Sequence, residues 1–125
     1  QYRLCERMKT TFCRPNHYDI IKDTTAHVET DRLLKFGMNL GYNSCTAGAK
    51  KIRELETSCG YNIPWTIVIR MDEHRLRENP ESYDSVISQG EEMGIYTWML
   101  YDRGQLQDIL PLIQKHTDSA FIISL

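Results

Sequence analysis

The run Trp65-Thr66-Ile67-Val68-Ile69-Arg70-Met71 decides the fold. β-Branched and aromatic side chains dominate it, and its apolar residues are nearly continuous rather than alternating. That is the pattern of a strand covered on both faces, as in a parallel sheet. Two later stretches have the same character, Ile95 to Tyr101 and Ala120 to Leu125. Upstream, Leu34 to Leu40 is the expected first strand. Val28, Leu33, Phe36 and Leu40 could also line a helix, but Gly37 and Gly41 tilt the reading toward strand.

Three amphipathic segments separate these runs. From Thr46 to Ser58, Ala49, Ile52 and Leu55 form an apolar stripe opposite Lys50, Lys51, Arg53, Glu54 and Glu56, and Gly60 supplies a stop. The segment Glu81 to Met93 opens on Asn79 as cap and Pro80 at the first helical position, buries Tyr83, Val86, Ile87 and Gly90, and closes at Gly94. The third, Gln105 to His116, places Leu106, Ile109, Leu110 and Ile113 on one face, with Pro111 expected to kink it or delay its start.

Strand starts near 34, 64, 95 and 120 lie 25 to 31 residues apart, the length of successive βα units. The expected fold is therefore α/β: one three-layer domain with four or five mainly parallel strands over residues 1–125. Residues 1–33 would form an irregular or edge segment, with an edge strand near Tyr2 to Met8 as one option. Because the last apolar run reaches Leu125, a fragment of a larger β/α protein is also compatible with the pattern.

A chain of 125 residues is too short for a complete eight-fold β/α barrel of roughly 250 residues. Its 41% hydrophobic and 26% charged content argues against disorder. Fifteen Lys and Arg against seventeen Asp and Glu leave a net charge of -2, which disfavours nucleic acid as the default partner. The sequence contains no apolar run of the ~18 residues a membrane span needs. A soluble protein is expected, with the balance leaning to a cytoplasmic one. Of the four cysteines, Cys45 and Cys59 stand at opposite ends of a helix roughly 20 Å long and should not pair. Cys5 and Cys13 could close a short loop, and free buried thiols are the leading expectation for the set.

In a parallel α/β protein the loops after the strands gather on one edge, where ligands bind. That expectation brings together Asn43 and Ser44 after the first strand, Asp72, Glu73 and His74 after the second, and Asp102 and Arg103 after the third. Asp72, Glu73 and His74 have the chemistry of divalent-metal ligands, and Asp72, His74 and Asp102 that of proton-transfer groups. Asn43, Ser44 and Arg103 are the candidates for holding an anion or a polar cofactor group. The competing reading is a solvated, mixed-charge loop with ordinary helix caps. His116, near the end of the third helix, is expected to be structural.

From Ile67 through Leu125, a strand, an Asp72-bearing loop, the Glu81 to Met93 helix and a strand led by Gly94 follow one another. This order resembles the later βα units of metal-dependent phosphodiester-cleaving barrels and of radical S-adenosylmethionine enzymes. The three-cysteine cluster of the second family has no counterpart, since Cys5 and Cys13 lack a third member. The His-Arg pair and early paired acids of the first are also missing, so neither resemblance carries a catalytic residue over.

Two function classes follow. The leading one is a non-catalytic sensor or interaction domain of a larger assembly, binding a protein partner or polar ligand at the strand carboxyl edge, with oligomerisation compatible. The alternative is a metal-assisted enzyme, or part of one, acting on a polar or phosphorylated small molecule with a divalent metal as cofactor.

Overall fold

A computed structural model describes residues 15–101 and 106–124. The edge strand considered near Tyr2 to Met8, together with Cys5 and Cys13, lies outside the described residues. The chain divides into two compact units, residues 1–35 and 36–125.

In the first unit, α1 spans Pro15–His27, and α2, Thr30–Met38, crosses into the second. Local bonds hold these turns: the Thr24 hydroxyl donates to the Ile20 carbonyl at 2.8 Å, and Arg32 Nε donates to Glu29 Oε2 at 2.9 Å. Tyr18, Ile20, Ile21 and Leu34 remain exposed.

The second unit is a mixed helix and strand structure built on a three-stranded parallel sheet. A π-helix, Asn39–Gly48, runs without interruption into α3, Ala49–Cys59. Then come β1 (Thr66–Arg70), α4 (Glu73–Glu78), α5 (Pro80–Met93), β2 (Thr97–Tyr101), α6 (Leu106–Lys115) and β3 (Ala120–Ser124). The sheet order is β1-β2-β3, with both pairings parallel. Both connections run through helices, as crossovers between parallel neighbours require.

The expected strand Leu34 to Leu40 is corrected by the structure. Its residues are helical, ending α2 and opening the π-helix, so the sheet has three strands among the described residues rather than four or five. The 3.6-residue spacing of Leu33, Phe36 and Leu40 prevailed over the two glycines. A Cβ at Gly37 or Gly41 would meet nothing within 4 Å, so neither glycine marks a close approach, and an exposed helical glycine costs only about 1 kcal/mol relative to alanine.

Register divides the sheet into two faces. Ile67, Trp98 and Phe121 are aligned, as are Ile69, Leu100 and Ile123. This face meets the crossover helices through Ile87 of α5 and Ile109 and Leu112 of α6, forming the core with Trp98 and Leu100 fully buried. Gly90 permits that packing. A Cβ there would overlap the Trp98 ring. Gly94 ends α5 with φ 97°, where glycine is favoured, and the Ile95 N–H returns to the Gly90 carbonyl at 2.8 Å.

The other face carries the aligned rows Thr66–Thr97–Ala120, Val68–Met99–Ile122 and Arg70–Tyr101–Ser124. Its amino end is sealed by the π-helix, whose buried residues Asn39, Ser44 and Gly48 recur at intervals of four and five. The Ser44 and Thr97 hydroxyls are 2.7 Å apart. Asn39 Nδ2 donates to the carbonyls of Thr117 and Ser119 at 2.8 and 2.9 Å, and Asn43 Nδ2 donates to that of Asp118 at 2.9 Å. The two rows farther along the strands are open at their outer strands: Val68 is 57% exposed and Ile122 40%, with Met99 half-buried between them.

Candidate functional site

Asp72, Glu73 and His74 lie at the carboxyl end of β1, where the expectation put them. They form the start of α4, and each side chain has a local partner. Asp72 is the N-cap: its Oδ1 accepts from the Arg75 N–H at 2.9 Å, and its own N–H donates to the Tyr83 hydroxyl at 3.1 Å. Glu73 pairs with Arg77 at 2.7 Å, and Arg77 reaches Asp108 of α6 at 3.3 Å. His74 Nδ1 stands 3.1 Å from Glu78 Oε2 on the exposed side of the same helix. With Arg77 and Glu78 the three line an open depression. Among the described residues, no group of three His, Cys, Asp or Glu side chains is arranged to hold a metal ion.

Asn43 and Ser44 do not share this edge. Their bonds to Asp118 and Thr97 place them at the amino ends of β3 and β2, across the sheet from Asp72. The displacement follows from the missing fourth strand: with Leu34 to Leu40 helical, no strand exit delivers these residues to the carboxyl edge. Their polar groups instead anchor the π-helix. Asp102 and Arg103 lie outside the described residues.

Cys45 and Cys59 are free, and both are exposed, which corrects the expectation of buried thiols. The helical segment around Cys45 turns its Asn39, Ser44 and Gly48 side inward and leaves Cys45 on the other.

Two features escaped the sequence reading. The first is the open face of Val68, Met99 and Ile122, bordered by Arg70 and Tyr101. The second is a polar cluster at the far end of α6. His116 is buried, with Nδ1 3.1 Å from Glu91 Oε2 and Nε2 3.1 Å from Asp84 Oδ1. The Ser119 hydroxyl donates to Glu91 Oε1 at 2.6 Å and stands 3.2 Å from the donating Trp98 indole nitrogen. His116 is thus structural, but through two carboxylates of α5 rather than through the end of its own helix. The seven-residue interval between Asp84 and Glu91, two turns along one helix face, was the available signal. Nearby, burial pushes the Tyr96 phenol above its ordinary value, reinforced by the negative charges of Glu91 and Asp118.

Comparison of the chain with protein-family models, curated proteins and solved structures gives no match. Its functional reading therefore rests on its own geometry. Among the described residues, no helix is long and apolar enough to cross a membrane.

Proposed function

We propose that this chain is a non-catalytic interaction domain that binds a protein partner over the open face of its parallel sheet and the adjoining carboxyl edge. The observation that carries this reading is the row Val68–Met99–Ile122, in register across all three strands and open at both ends. Parallel sheets are almost always covered on both faces, because their connections and neighbours bring helices to each side. In this reading the partner completes the third layer that the sequence pattern anticipates, and Asp72, Glu73 and His74 shape the rim of the interface.

The test uses methyl-labelled full chain with a soluble paramagnetic relaxation agent, alongside the double variant Val68→Lys/Ile122→Lys. The expected result is strong relaxation of the Val68, Met99 and Ile122 methyls and a melting temperature within a few degrees of the parent, since exposed substitutions usually change stability by no more than about 0.5 kcal/mol each. Protected methyls and a melting temperature more than about 10 °C lower, the signature of disrupted core, would overturn the reading.

The competing reading, a metal-assisted enzyme acting on a polar or phosphorylated molecule, would place its site in the open depression at Asp72, Glu73, His74, Arg77 and Glu78. Native mass spectrometry with magnesium, manganese and zinc decides between them. A stoichiometric adduct lost in both Asp72→Asn and His74→Ala would replace the interaction reading.

A further inference from the structure

We infer that the partner element seated on this face is an amphipathic α-helix carrying a carboxylate opposite Arg70. This deepens the interaction-domain reading and rests on it. Three observations converge on such an occupant.

The first is the existing cover. Thr97 and Ala120 are sealed at the amino end by a helical segment, with the Ser44 hydroxyl on that of Thr97, and a helix set beside it continues the same cover along the strands. The second is size. Strands spaced about 4.8 Å apart make the row from β1 to β3 roughly 10 Å wide between outer axes. That matches the ~10–12 Å diameter of one helix with its side chains. The two uncovered rows, at Val68 and Arg70, lie about 7 Å apart along the strands, the rise of between four and five helical residues.

The third is chemistry. Val68, Met99 and Ile122 offer branched and flexible apolar side chains, while the next row is polar, Arg70–Tyr101–Ser124. Arg77 is engaged by Glu73 and Asp108, whereas exposed Arg70 has no ion pair among the described residues. A carboxylate on the docking helix would give Arg70 a charge-assisted bidentate partner. A lysine there would meet a like charge.

The test adds two synthetic helical peptides of 14 residues to the methyl-labelled full chain. Both carry leucines at i, i+3, i+4 and i+7, and they differ only in a flanking Glu or Lys. The expected result is perturbation of the Val68, Met99 and Ile122 methyl resonances by the Glu peptide, with affinity at least tenfold above that of the Lys peptide. Arg70→Glu should reverse the preference, and Arg70→Lys should retain its direction.

Equal affinity for the two peptides, or no perturbation by either, overturns the helix assignment. If the methyls are open in the free protein, that failure leaves the interaction-domain reading standing. Concentration-dependent shifts of these methyls without peptide would assign the face to a second copy. Contacts from residues 15–38 would assign it to the chain itself. Either result overturns the proposal.

Discussion

Removing the His116 ring tests whether the cluster around it holds α5, α6 and β3 together. The imidazole is 5% exposed, with the Asp84 and Glu91 carboxylates at its two nitrogens, themselves 31% and 23% exposed. Hydrogen bonds to charged groups contribute about 1.5–3 kcal/mol each. The low end applies here, because both carboxylates retain access to water and Asp84 also has Lys115 at 3.4 Å. The tautomer decides which ring nitrogen donates, so one such contact is counted; with roughly 1 kcal/mol for the ring's lost packing, it places His116→Ala at about 2–3 kcal/mol. For a domain of this size the corresponding loss in melting temperature is about 6–12 °C. Urea unfolding of His116→Ala, Glu91→Gln and the double variant gives the coupling, which should exceed about 1 kcal/mol. A cost below 1 kcal/mol for His116→Ala, or additivity of the two substitutions within about 0.5 kcal/mol, refutes the assignment of this cluster as a structural clamp.

Gly90→Ala should cost about 1–3 kcal/mol in calorimetry, since its methyl would overlap the Trp98 ring; an unchanged melting temperature would show that the helix can shift outward freely. Asp72→Ala should cost about 1 kcal/mol through the lost cap, whereas Asp72→Asn, which keeps an acceptor, should melt within experimental error of the parent. Equal losses in the two variants would remove capping as the role of Asp72. The Tyr96 phenol is raised in the folded chain, so its contribution to stability is complete below the ordinary tyrosine value of about 10 and is lost as pH climbs through the folded value. Phenolate absorbance of the parent against Tyr96→Phe checks the direction, and a Tyr96 midpoint at or below the ordinary value contradicts it.

The parts of the fold most legible in the sequence are those with strong local chemistry. Trp65 to Met71, Ile95 to Tyr101 and Ala120 to Leu125 contain the three strands, and the Asn79-Pro80 start and Gly94 stop bound α5 closely. Leu34 to Leu40 is helical despite Gly37 and Gly41, because at open positions each glycine costs little enough for the surrounding helical spacing to prevail. With no strand there, Asn43 and Ser44 do not reach the carboxyl edge, while the exit of β1 places the Asp72 turn on it. The nearly continuous apolar run implied cover on both sheet faces, but an apolar pattern cannot name the covering element. Val68 is consequently open where the run suggested burial. In the His116 cluster, helical spacing puts Asp84 and Glu91 on one face of α5, but nothing local places His116, 25 and 32 positions away, against them.

The grip of Asn39 and Asn43 on the turn before β3 spans 75 to 80 positions. Such long loops must close before their contacts contribute, a topology that slows folding. On the ribosome the helices can coil early, but the asparagines wait for Thr117 to Ser119 to emerge. β3 therefore locks only after its own synthesis, and until then β2 presents an unpaired edge to chaperones or to neighbouring nascent chains.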